Sequence, residues 1–98
     1  MTKDIFTQAA ADLSKLEIEL TRAGYENKTH IGTGSYVNVL GLLWDRASSA
    51  DYYAELNNWQ NEACNDRATQ FWKEYHGWVA VVEQLLMAEQ EIEATLSY

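Results

Sequence analysis

The chain has 98 residues, a formal net charge of −8 and one cysteine. These values indicate one small domain with a modest core, and they exclude an intrachain disulfide. Residues 1–50 carry five basic and six acidic side chains, whereas residues 51–98 carry two and nine. An acidic second half argues against direct binding to nucleic acid or anionic lipid. Without a segment of signal-peptide or membrane-span length, we expect a single cytoplasmic domain over residues 1–98.

The first predicted helix covers residues 4–23. Its apolar side chains recur at steps of three and four residues, which places them on one helical face: Ile5, Ala9, Leu13, Leu16 and Leu20. Gly24 follows the last periodic residue. Glycine tolerates the left-handed backbone conformation that commonly ends a helix, so the pattern predicts a stop at Gly24.

A glycine-containing loop is predicted for residues 25–34, followed by a helix that Ser35 would cap. The alternative is a short β-hairpin across residues 30–39, because Val37 and Val39 are β-branched. The segment 32–36, GTGSY, resembles the start of a nucleotide-binding glycine loop. Its third glycine position is Val37, and the next basic residue is Arg46, within a predicted helix. No nucleotide site is therefore predicted.

Residues 48–51, SSAD, predict another helix start, with an apolar stripe formed by Tyr52, Leu56, Trp59 and Ala63. The segment 64–67, CNDR, leaves two alternatives open. Asn65 or Asp66 caps a new helix, or one helix runs through the whole of residues 50–96.

From Ala68 onward the helical period is regular. One stripe contains Phe71, Tyr75, Trp78, Val82 and Leu85, and continues to Ile92 and Leu96. A neighbouring stripe contains Trp72, Val79 and Leu86, so the helix is apolar over an unusually wide arc. The fold class that follows is all-α, a compact bundle of three or four helices.

Catalysis is the least supported class of function. His30, His76 and Cys64 are far apart in sequence, so neither a nucleophile–base pair nor a metal cluster is predicted. We expect a non-enzymatic protein without a cofactor or a metal.

Aromatic residues carry more information, with four tryptophans and six tyrosines in the chain. Some of these rings fill the core, or one stripe is covered by a partner, since Trp and Tyr dominate interface hot spots. Together with the acidic second half, they predict a partner-binding surface formed by Tyr52, Trp59, Trp72, Trp78, Glu83, Glu89 and Glu93.

The first functional hypothesis is a small acidic protein that binds and modulates or inhibits a protein partner with a basic surface, such as a nucleic-acid-binding protein. In size and charge the chain resembles phage-encoded inhibitors of bacterial defence, including anti-CRISPR proteins, which implies action in the host cytoplasm. Two alternatives stay open. One is a nucleic-acid mimic that occupies a basic groove. The other is a structural homo-oligomer, with a homodimer as the simplest case.

Overall fold

A computed structural model describes the backbone of residues 2–28 and 35–96, and the side chains of residues 6–28 and 36–88. It contains three helices: α1 (Thr2–Arg22), α2 (Ser35–Leu56) and α3 (Glu62–Leu96). No strand occurs in the described part of the chain. The predicted all-α bundle is therefore confirmed. The β-hairpin alternative is wrong for residues 35–39, which are helical, and residues 30–34 lie outside the described residues.

Helix α1 ends as its sequence predicts. Gly24 has a φ of 95°, in the left-handed region. Its backbone N–H donates to the carbonyl of Thr21 at 3.1 Å, and the N–H of Tyr25 donates to the carbonyl of Leu20 at 3.1 Å. These two bonds form a Schellman motif, which satisfies carbonyls that the end of a helix leaves free.

Helix α2 is longer than predicted. It runs without interruption through residues 48–51, so the helix start predicted there is wrong. Serine and aspartate cap a helix only where the preceding chain is not already helical. Here Ala47 and Ala50, which flank the two serines, are buried, and their packing favours a continuous helix. The chain breaks instead between Leu56 and Glu62, so residues 50–96 contain parts of two helices.

Packing centres on α2, which contacts both α3 and α1, and its interface with α3 is the more extensive. The buried apolar core draws on all three helices: Leu13, Leu20, Val39, Leu42, Leu43, Val82 and Leu85. The predicted inner face of α1 is confirmed for Leu13 and Leu20, with Ala9 and Leu16 half-buried. Ile5 lies outside the described side chains.

Small residues are also buried on α2 and α3. Ala47, Ala50, Ala54 and Ala68 are all buried, and the three in α2 follow each other at steps of three and four. We call these four residues the alanine seam. Residues at such steps share one face of a helix, and side chains of this size let two helices approach closely.

The apolar stripe predicted for Tyr52, Leu56, Trp59 and Ala63 does not face the core. All four residues are exposed. Tyr52 and Leu56 lie on the side of α2 opposite the alanine seam, because the helix turns through about 100° per residue. Trp59 lies beyond the end of the helix.

The regular stripe of α3 is confirmed where its side chains are described. Val82 and Leu85 are buried, and Phe71, Tyr75 and Trp78 are half-buried. In the neighbouring stripe, Trp72 and Val79 are half-buried and Leu86 is exposed. The wide apolar arc of α3 is thus only partly covered by the other two helices. The side chains of Ile92 and Leu96 lie outside the described residues.

After α1 the chain crosses the surface of α2. Asp45 is 6% exposed; its carboxylate accepts a hydrogen bond from the backbone N–H of Glu26 at 3.0 Å and lies 3.3 Å from the Nζ of Lys28. A buried carboxylate is tolerated when it is paired and hydrogen-bonded in this way. At the same place Gly41 leaves room for Asn27: a Cβ on Gly41 would lie 1.8 Å from the Asn27 Oδ1.

We predict that Gly41→Ala destabilises the protein by about 1–3 kcal/mol, because Asn27 and its neighbours must move to admit the methyl group. Gly77→Ala is the matched control: it is also helical, but its Cβ would meet nothing within 4 Å. That variant should gain about 1 kcal/mol from helix propensity. Urea unfolding measures both. Equal stabilisation by the two substitutions would contradict the packing described.

Candidate protein-binding surface

The reversal between α2 and α3 is built from asparagines. Asn58 has a φ of 54°, and its N–H donates to the carbonyl of Glu55 at 2.9 Å. The N–H of Trp59 donates to the carbonyl of Ala54 at 2.9 Å. This is a second Schellman motif, with asparagine in the position that glycine holds after α1.

Trp59 continues the left-handed backbone, with a φ of 60°. For a residue with a large side chain this conformation costs about 1–2 kcal/mol. It is held from α3, because the Asn65 Nδ2 donates to the carbonyl of Trp59 at 2.7 Å. Asn65 makes this bond although its Oδ1 is buried without a hydrogen-bond partner.

Two further asparagines fix the ends of the turn. The Asn57 Nδ2 donates to the carbonyl of Tyr53 at 2.8 Å, at the end of α2. The Asn61 Oδ1 accepts from the backbone N–H of Cys64 at 3.2 Å, which is the N-cap contact of α3. The cap is thus Asn61, and neither Asn65 nor Asp66 starts a new helix, since both lie within α3.

Four large apolar side chains are exposed around this turn. Tyr52, Tyr53, Leu56 and Trp59 are between 50% and 60% exposed, and we call them the tip patch. The rings of Tyr52 and Tyr53 make an edge contact with centroids 5.9 Å apart. Sequence reasoning identified Tyr52 and Trp59 as binding residues but missed Tyr53 and the exposure of Leu56.

The charge around the tip patch is mainly negative, with the exposed Arg67 at its edge beside Asp66. Residues 47–66 contain four carboxylates and no lysine or arginine: Asp51, Glu55, Glu62 and Asp66. Glu55, Glu62 and Asp66 are exposed. The tip therefore combines exposed aromatic surface with an acidic surround.

Trp72 belongs to a different environment. Its ring makes edge contacts with Trp44, at 6.5 Å between centroids, and with Tyr75, at 5.7 Å, and it stacks on His76 at 6.2 Å. Next to this cluster, the guanidinium of Arg46 lies 4.2 Å from the centre of the Phe71 ring. The Arg46 Nη2 also donates a hydrogen bond to the carboxylate of Glu74. Trp72 is thus held by contacts between α2 and α3.

Trp78 packs against the core. It also lines an apolar groove of about 490 Å³ between α1 and α3, together with Phe6, Ala9 and Val81. An α-helix rises about 1.5 Å per residue, so Trp78 lies at least about 20 Å along α3 from the end of the helix next to the tip patch.

Glu83 is exposed and lies further along α3. The side chains of Glu89 and Glu93 lie outside the described residues. The five predicted binding residues whose side chains are described therefore do not form one surface. Tyr52 and Trp59 lie at the tip, and Trp72, Trp78 and Glu83 are distributed along α3.

Among the described side chains, no three His, Cys, Asp or Glu residues are grouped so that they could hold a metal ion. Cys64 is a free, half-buried thiol, and His30 and the glycines of residues 32–34 lie outside the described residues. No helix in the described part of the chain combines the length and apolar character needed to cross a bilayer.

Comparison of the chain with protein-family models, with curated proteins and with solved structures gives no significant match.

We predict that Trp59 dominates the quenching of tryptophan fluorescence by acrylamide, since it is half exposed whereas Trp44, Trp72 and Trp78 are more buried. Trp59→Phe should lower the quenching constant clearly. Trp44→Phe, the control, should leave the readily quenched component in place. Similar quenching of the two variants would show that the indole of Trp59 is covered.

Proposed function

We propose that this protein binds a protein partner with a basic surface through the tip patch, and that this binding modulates or inhibits the partner. One observation carries the proposal: four large apolar side chains within eight residues are each at least half exposed at one end of the molecule. Contiguous exposed apolar surface ringed by polar groups is typical of a site that another protein covers.

The chemistry of the tip patch is that of an interface. Two tyrosines and a tryptophan supply large, rigid contact area, and these residue types are enriched among interface hot spots. Elsewhere in the described structure the exposed large apolar side chains are Ile18 and the adjacent pair Leu86 and Met87, a smaller group without an aromatic ring. The tip therefore fits partner binding better than any other described surface.

The charge near the tip patch supports a partner with a basic surface. Four carboxylates and no basic residue lie within residues 47–66, so a basic protein surface would be attracted and oriented by them. A second copy of this chain, docked tip to tip, would bring like charges together. A homodimer stays a prediction, and the charge of the tip disfavours its formation there.

Proteins that bind nucleic acid are one class of partner with a basic surface. Inhibition of such a protein, in the manner of a phage-encoded inhibitor of bacterial defence acting in the host cytoplasm, is consistent with the size and charge of the chain. A pure nucleic-acid mimic fits less well, because the exposed centre of the tip is aromatic and apolar.

The test is capture from a nuclease-treated bacterial lysate with three baits: the wild type, the tip variant Tyr52→Gln/Trp59→Asn, and the control Ile18→Gln/Met87→Gln. The control also removes two exposed apolar side chains, but away from the tip. We expect a basic protein that the wild type and the control retain and the tip variant loses.

The captured protein is then purified and titrated. Loss of a hot spot of about 2 kcal/mol or more should weaken the Kd about 30-fold in the tip variant. Identical sets of bound proteins for all three baits would refute the proposal, as would a partner without basic surface.

We further predict that Glu55→Gln/Glu62→Gln slows association with this partner several-fold at low salt, because exposed charges at the edge of an interface act on the encounter rate. The difference should disappear near 0.5 M salt, where screening is strong. Asp12→Asn/Glu83→Gln removes the same total charge elsewhere and is the control. Equal slowing by both pairs, in stopped-flow measurements, would attribute the effect to net charge alone.

A further inference from the structure

Trp59 occupies a backbone conformation that its residue type disfavours. Its φ is 60° and that of Asn58 is 54°, so two successive non-glycine residues are left-handed. Asparagine adopts this conformation readily, whereas a bulky aromatic residue rarely does. The turn itself therefore gives no reason for tryptophan at this position.

The hydrogen bonds of the turn do not use the indole. The backbone N–H of Trp59 donates to Ala54, and its carbonyl accepts from Asn65. Any residue at position 59 offers the same two backbone groups, apart from the N–H that proline lacks. The side chain of Trp59 is half exposed and is therefore only partly used by the fold.

Asn65, which holds the backbone of Trp59, adds a second unfavourable contribution to the stability of the turn. The Oδ1 of Asn65 is buried without a partner, which is unfavourable for a polar atom. Asn65 nevertheless donates its Nδ2 to the carbonyl of Trp59 at 2.7 Å. Unfavourable features that concentrate at one position are typical of functional sites, where the geometry serves binding more than stability.

We infer that Trp59 is the anchor of the protein-binding surface and that Asn65 is its positioning residue, which holds the strained backbone so that the indole is presented before the partner arrives. This inference rests on the proposed function. Presenting a rigid anchor in advance reduces the ordering that binding requires.

The cost to stability is tested without a partner. Trp59→Gly should leave the Tm unchanged or raise it, since glycine adopts a positive φ freely. Tyr52→Gly is the matched control: it removes a similarly exposed aromatic side chain from helical backbone. The control should lower the Tm by about 4 °C or more, because glycine disfavours a helix.

The positioning role is tested by NMR on the indole N–H of Trp59. In the wild type its heteronuclear ¹⁵N NOE should match that of the more buried tryptophans, and in Asn65→Ala it should fall. Gln60→Ala lies in the same turn and should leave it unchanged. The helices should keep their amide-exchange protection in both variants, which separates positioning from unfolding.

With the captured partner, Trp59→Gly should weaken the Kd about 30-fold and Asn65→Ala about five-fold, with Gln60→Ala within two-fold of the wild type. A fall in Tm for Trp59→Gly as large as that for Tyr52→Gly would overturn the inference, as would an indole already mobile in the wild type. If the lysate yields no partner, the proposed function fails, and the Tm and NMR results still decide whether Trp59 is held outward at a cost.

Discussion

The seam between α2 and α3 sets the geometry on which the other features depend. Ala47, Ala50 and Ala54 of α2 and Ala68 of α3 are buried, and side chains this small allow the axes of two packed helices to approach closely. Towards the other end, Leu43 and Val82 widen the same interface and leave room for α1 to add Leu13 and Leu20. The core is therefore broad where three helices meet and narrow where only α2 and α3 are in contact.

This narrowing explains where the large side chains go. A seam of alanines has no space for aromatic rings, so Tyr52, Tyr53 and Leu56 lie on the outer sides of α2. The rings of Trp44, Trp72 and Tyr75 flank the interface, where they contact one another edge to face. The aromatic residues thus form two groups. Some rings pack between α2 and α3, and others are exposed near the turn that joins these helices.

Periodicity and stop signals predicted much of the fold. The stripes of α1 and α3 and the glycine after Arg22 are local patterns with a direct physical cause. In the second half of α2 the predicted helix start is wrong because serines within a helix resemble caps. Hydrophobicity grouped Tyr52 and Leu56 into a stripe, whereas the buried positions of this segment are small alanines. Asn58 could have been recognised as a helix end, since asparagine tolerates positive φ. The left-handed backbone of Trp59 and its hydrogen bond from Asn65, six residues later, depend on how the turn packs against α3. No local pattern in the sequence indicates either feature.

The interhelix turn also determines whether the molecule folds on itself. Without the left-handed residues Asn58 and Trp59, α2 could continue into α3 as one long rod. The apolar face of α3 would then pack against α2 of another copy, using the same contacts that now close within one chain. Such an exchange of identical elements is domain swapping, which changes in a hinge promote. Five residues with three asparagines, 57–61, thus reverse the chain so that α2 and α3 of the same molecule pack together.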